Sequence, residues 1–141
     1  MSSYTLGHSA DEQDRLQQQA GYLREITRAI WRSAGIVAGM RVLDVGCGVG
    51  DTSFLAADLV GPAGFVIGQD RSAEAITTAR QRAAAAGRTN ILFVQGELGT
   101  LPADQAGVDA VVGRYILIHQ PDIVEALRRV HALLPLLVAL L

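Results

Sequence analysis

The run Val42-Leu43-Asp44-Val45-Gly46-Cys47-Gly48-Val49-Gly50 constrains this chain more than any other stretch. It reads as a short buried strand that enters a glycine-rich turn, with a helix beginning just beyond. That order of elements lets backbone come close to a nucleotide-like ligand at the carboxyl end of a parallel strand. Asp70 lies twenty positions after Gly50, at the end of a second apolar run, Phe65-Val66-Ile67-Gly68-Gln69. A carboxylate there can accept from both ribose hydroxyls of a bound nucleoside; the alternative reading is a surface carboxylate.

Around this centre the chain alternates helical and strand patterns. Asp11 to Ala34 reads as one amphipathic helix, with Leu16, Ala20, Leu23, Ile26 or Thr27, and Ile30 at helical spacing and Ser9 as its N-cap. A second helix is expected over Thr52 to Val60, followed by the turn Gly61-Pro62-Ala63-Gly64 and the second strand. Ser72 should cap a helix from Ala73 to Ala86 that Gly87 closes. Ile91 to Val94 reads as the third strand, Leu101 to Gln105 as loop or short helix, and Val108 to Gly113 as the fourth strand. Pro121 is expected in the first turn of a last helix reaching Leu133. Such alternation predicts an α/β fold: a Rossmann-like, doubly wound, mostly parallel sheet in three αβα layers. The expected division is an N-terminal helical cap segment over 1–38 and the Rossmann-like domain over 39–141.

Composition narrows the partners. With 141 residues, 50% hydrophobic and 18% charged, the chain can form one globular domain with a real core. A net charge of −2 and the absence of any basic run argue against a nucleic-acid partner. No apolar signal-like region opens the chain, and the apolar run Leu133 to Leu141 is too short to span a bilayer. The one cysteine, Cys47, excludes an internal disulfide and fits a reducing compartment, so a cytoplasmic location is expected. Its position in the glycine turn suits a small residue packed near ligand better than a nucleophile. No metal site is expected.

Two ligand classes fit a strand, a glycine turn and a later acid. Dinucleotide-binding folds use G-x-G-x-x-G, whose third glycine allows close packing of helix on strand. Counted from Gly46, that glycine would fall at position 51, which is Asp51; the spacing here is G-x-G-x-G. A carboxylate at the helix start also faces a pyrophosphate unfavourably. Asp44, and Asp51 with it, suit a ligand bearing positive charge better.

The pattern Asp44-x-Gly46-x-Gly48-x-Gly50 resembles motif I of the class I S-adenosylmethionine-dependent methyltransferases, in particular the ubiquinone/menaquinone-biosynthesis-like group. Gly68-Gln69-Asp70-Arg71-Ser72 resembles the second motif and Val94-Gln95-Gly96-Glu97-Leu98 the third. Val108 to Arg114, with His119-Gln120-Pro121-Asp122, resembles the fourth strand and its turn. The resemblance runs from about Met40 to Leu134. It implies S-adenosylmethionine as cofactor, S-adenosylhomocysteine as product and a small-molecule acceptor. Asp44 would order the turn and the methionine end, and Gly46, Cys47 and Gly48 would bring backbone to the cofactor. Asp70 would hold the ribose and Arg71 flank the adenine with its stem. Gly96, Glu97 and Leu98 would meet the adenine, and Arg114 and Tyr115 the methionine portion. Asp109 reads as structural. The catalytic residue is unknown; His119 is a candidate base or acceptor contact, or simply a helix-entry residue beside Pro121. The N-terminal segment of such enzymes packs over the cofactor mouth, where Tyr4, His8 and Tyr22 could line the pocket; Tyr22 and Trp31 could equally be helix-packing residues.

The family's sheet has seven strands, and four are clear here. Where relatives carry a proline and two glycines before a fifth strand, Pro135 is followed directly by Leu136-Leu137-Val138-Ala139-Leu140-Leu141. Those six residues read as a fifth strand or as helix after a proline kink. The expectation is a sheet incomplete in its C-terminal half, as in a truncated protein. Its fourth strand would lie at an edge, and that edge or the apolar C-terminus would invite homo-oligomer formation. Three activities remain: methyl transfer to a small molecule, cofactor binding without turnover, and NAD-dependent oxidoreduction.

Overall fold

The computed structural model describes residues 10–98, 100, 101, 105, 107–114 and 116–134. The expectations for Tyr4, His8, Ser9, Tyr115 and the segment 135–141 lie outside these residues, as does most of the stretch 102–106. Helix α1 (Ala10–Ser33) is followed by β1 (Arg41–Val45), α2 (Asp51–Val60), β2 (Phe65–Asp70), α3 (Ala73–Ala85), β3 (Ile91–Gln95) and β4 (Ala110–Val112). A 3-10 turn, Leu117–His119, precedes α4 (Ile123–Ala132). The four strands form one parallel sheet in the order β3-β2-β1-β4. Strand order reverses between β2 and β4 about β1, which opens a crevice at the carboxyl ends of β1 and β4.

Apolar runs with no polar alternation make these strands, because both faces of the sheet are covered. Val42, Val66, Ala110 and Val112 turn to one face and pack with Leu55, Ala56, Ala57 and Val60 of α2. Leu43, Val45, Ile67 and Val111 turn to the other, under Val130 of α4. Ile76, Ala79 and Ala83 of α3 pack with Phe93 and Phe54, whose rings meet edge to face at 6.1 Å. The result is three layers, with α2 and α3 on one side and α4 on the other. Among the described residues β4 pairs only with β1 and forms the sheet edge.

Local signals explain the element ends. Ser72 Oγ accepts from the Ala75 N–H at 3.2 Å and starts α3. At the other end Gly87, at φ +63°, turns left-handed, and the Gly87 and Arg88 N–H groups donate to Ala84 and Ala83 carbonyls. That pair of bonds is the Schellman closure. Asp109 is structural: its carboxylate accepts from the Arg41 N–H at 2.8 Å and aligns the starts of β1 and β4.

Two expectations change. Pro121 lies before the last helix and not in its first turn. Asp122 is the N-cap, accepting from the Glu125 N–H at 3.0 Å, because an aspartate cap satisfies a donor that proline cannot. The ladder part of the fourth strand is shorter than Val108 to Gly113. On α1, Trp31 is buried in the sheet's core with Ile36, whereas Tyr22 is 75% exposed. Among the described helices none is long and apolar enough to cross a membrane.

Candidate functional site

The glycine turn is built on backbone conformation. Gly46, Gly48 and Gly50 sit at φ +66°, +56° and +99°, a region that costs other residues about 1–2 kcal/mol. Two of them also lack room. A Cβ on Gly46 would stand 2.6 Å from Ile116 Cδ1, and one on Gly50 2.9 Å from the Phe93 ring. The Cys47 N–H donates to the Gln69 carbonyl and the Gly50 N–H to the Cys47 carbonyl, both at 3.0 Å, so the turn is pinned to β2. Gly48 faces open space, and its N–H donates to Asp70 Oδ2 at 2.9 Å.

Asp70 therefore joins the two motifs physically. Its Oδ1 accepts from the Ser72 N–H at 2.8 Å while Oδ2 holds Gly48. An ionised carboxylate offers about four lone-pair directions. One per oxygen is used by backbone, and one per oxygen remains for a ligand.

Asp44 works behind the turn. It is buried, and its Oδ2 accepts from Thr52 Oγ1 and Ser53 Oγ, each at 2.7 Å, tying β1 to the first turn of α2. Oδ1 is buried with no partner among the described residues. Burial pushes the carboxyl up to about 6; the two hydroxyls and the Arg114 guanidinium pull it down, and the Asp70 carboxylate adds to the rise. Cys47 packs its side chain under the turn with Phe54, Ile76 and Phe93. Burial, and then the Asp44 and Asp70 carboxylates, push its thiol far above the ordinary range, so it holds its proton, which it donates to the Gly48 carbonyl at 3.6 Å.

A cavity of about 590 Å³ opens at the crevice. Gly46, Gln69, Asp70, Arg71, Gly96, Glu97 and Leu98 form one part of its wall. Arg114, Ile116, His119, Gln120, Pro121 and Arg129 form the rest. Residues from four separate motifs thus meet around one space. Of the residues singled out from sequence, Asp44, Cys47 and Gly48 support the turn without lining the cavity. Asp51 does not face the cavity. Its carboxylate pairs with Arg82 of α3 at 2.8 Å, since the helix start turns it outward. Tyr22 does not line the cavity either.

Gln69, Ile116 and Arg129 are not legible from sequence as site residues. Ile116 and Arg129 come from the segments after β4, where periodicity marks helix but not which side meets the crevice. Gln69 does carry a signal: a carboxamide in an otherwise apolar strand, placed directly before Asp70.

Comparison with known proteins agrees with this geometry. Residues 36–136 match the family model described as Methyltransferase domain, and the chain belongs to that family. It is 33% identical over 110 residues to a demethylmenaquinone methyltransferase of Lactococcus lactis, covering 74% of this chain and 44% of that protein. It is 41% identical over 93 residues to the aklanonic acid methyltransferase DauC of a Streptomyces species, covering 66% of this chain and 42% of that one. Among solved structures, an arsenic (III) S-adenosylmethionine methyltransferase from Chlamydomonas reinhardtii superposes with a TM-score of 0.60 at 33% identity. That match covers 70% of this chain and 36% of the other. The chain spans less than half the length of these relatives.

Proposed function

We propose that this chain binds S-adenosylmethionine in the cavity at the carboxyl ends of β1 and β4 and transfers its methyl group to a small-molecule acceptor. One observation carries the reading: Asp70 is locked to the left-handed glycine turn through the Gly48 N–H, yet keeps free lone pairs beside the cavity. That is the arrangement a ribose needs. Asp70 and Glu97 line the cavity as acceptors for the hydroxyls and amine of an adenosyl group, together with Arg71, Arg114 and Arg129.

In this reading Asp70 accepts from the ribose hydroxyls, and Gly46, which lines the cavity, presents its backbone to the ligand. Arg71, Gly96, Glu97 and Leu98 take the adenine. Arg114 lies toward the methionine portion, with Asp44 and the Cys47 and Gly48 backbone holding the turn in shape. When bound, S-adenosylmethionine supplies an electrophilic methyl on a positively charged sulfur. The chain's own contribution is then alignment of acceptor, methyl and sulfur, which in well-oriented systems is worth up to roughly 7–11 kcal/mol. His119 lines the same cavity and is the candidate to take an acceptor's proton or to position it.

The test is calorimetric titration with S-adenosylmethionine, S-adenosylhomocysteine and NAD, followed by methyl-transfer assays on a metabolite panel that includes quinols. Binding of both adenosyl ligands with no response to NAD is the expected result. Binding of NAD alone would replace this reading with the oxidoreductase one. Adenosyl binding without turnover on any acceptor would leave a binding module. Turnover unchanged in His119→Ala would remove His119 from the chemistry.

A further inference from the structure

Gln69 is the largest buried polar side chain among the described residues, 1% exposed on β2 between Val45 of β1 and Val94 of β3. Its Nε2–H donates to the Thr100 carbonyl at 2.6 Å, while its Oε1 is buried with no partner among the described residues. The carboxamide cannot be turned round to mend this, because Oε1 would then face a carbonyl oxygen, acceptor against acceptor. A buried acceptor left unpaired destabilises the fold, and an apolar side chain of similar size would suit these neighbours better. Set against that cost is the one bond the carboxamide makes, to the Thr100 carbonyl.

Its one bond reaches the segment that presents Glu97 and Leu98 to the cavity. Thr100, which Gln69 grips, bonds back onto that segment: its N–H and its Oγ1 both donate to the Glu97 carbonyl, at 3.0 and 2.7 Å. The Gly96 N–H donates to the Asp70 carbonyl at 3.0 Å. A Cβ on Gly96 would stand 3.0 Å from Gln69 Nε2, so the turn is seated directly on the carboxamide. Asp70 fixes one end of the cavity's acidic wall and its neighbour Gln69 fixes the other.

We propose that Gln69 is a positioning residue for purine recognition: its carboxamide braces the turn that carries Gly96, Glu97, Leu98 and Thr100 against β2. The proposal rests on the adenosyl reading of the cavity. It predicts a separation that a merely structural residue would not give. Gln69→Leu should melt close to the native chain, because loss of the bond to Thr100, at an exposed position, is offset by removal of the orphaned oxygen. It should nevertheless bind S-adenosylhomocysteine about tenfold more weakly, the size of one ordinary hydrogen bond. The loss should concentrate on the purine edge. Titrated against S-adenosylhomocysteine and its 6-oxo analogue S-inosylhomocysteine, the native chain should prefer the amine, and Gln69→Leu should lose most of that preference. Thr100→Val, at an exposed position, removes the Oγ1 bond to Glu97 and should weaken the preference in the same direction. Unchanged affinity and preference in both variants would overturn the brace. So would equal losses for the two ligands accompanied by a lower melting temperature, which is the mark of general damage. A native chain that binds neither ligand would refute the adenosyl reading itself, and one that binds both equally would refute only the brace.

Discussion

Replacing Asp44 with asparagine should change how stability depends on pH, with a sign set by the structure. The Asp44 carboxyl is buried and titrates near 6, above the ordinary value of an aspartate in the unfolded chain. The native state therefore holds this proton more tightly than the unfolded state does. Stability from this group is intact below about pH 4 and falls as pH rises towards 6, where the charged form must stay buried. A rise of this size corresponds to about 3 kcal/mol once the group is fully ionised. The carboxamide of Asp44→Asn has nothing to titrate, and its oxygen could still accept from Thr52 and Ser53. Its NH2 group would meet the unpartnered Oδ1 site at every pH, so the informative quantity is the change in the difference between the two chains. Urea unfolding of both at intervals from pH 4 to pH 8 measures it. The native chain should lose about 2 kcal/mol relative to Asp44→Asn between pH 4 and pH 8, since part of the full loss has already occurred at pH 4. A difference that stays flat, or that moves in favour of the native chain as pH rises, would refute the reasoning.

Other consequences follow from packing and burial. Gly68→Ala places a Cβ 2.6 Å from two Phe93 ring carbons and 2.9 Å from Ser53 Oγ, and should cost about 1–3 kcal/mol in urea unfolding; an unchanged midpoint would show that the ring moves freely. Cys47 should resist a thiol reagent at pH 8 in the folded chain and react at once in denaturant, because burial keeps it protonated; rapid reaction of the native chain would show that the turn opens.

How much of this is legible beforehand depends on whether local chemistry or tertiary contact decides the outcome. The strand-to-glycine turn, the Ser72 cap and the Gly87 closure are local, and each stands where the residue types place it. The parallel order of strands follows from apolar runs alternating with helices. The purpose of the three glycines is only half visible. Sequence suggests room for a ligand, while the structure adds a left-handed backbone at all three and the pressure of Ile116 and Phe93 against two. Misplacements come where a distant partner intervenes. Sequence turns Asp51 toward the ligand because Arg82 lies too far along the chain to be foreseen as its partner. It leaves Tyr22 between pocket lining and helix packing, and the structure exposes it instead, because helical periodicity does not say which way an N-terminal helix lies. Gln69 is overlooked because its role comes from Thr100, thirty-one residues away.

The central claim is that Asp70 and the turn it holds form an adenosyl site. Asp70→Asn tests it most directly, measured as S-adenosylhomocysteine affinity in a variant whose circular dichroism matches the native chain. Removing the charge that receives two hydroxyls should weaken binding by at least about tenfold. Native-like affinity in Asp70→Asn, or a native chain that ignores the ligand altogether, would contradict the account.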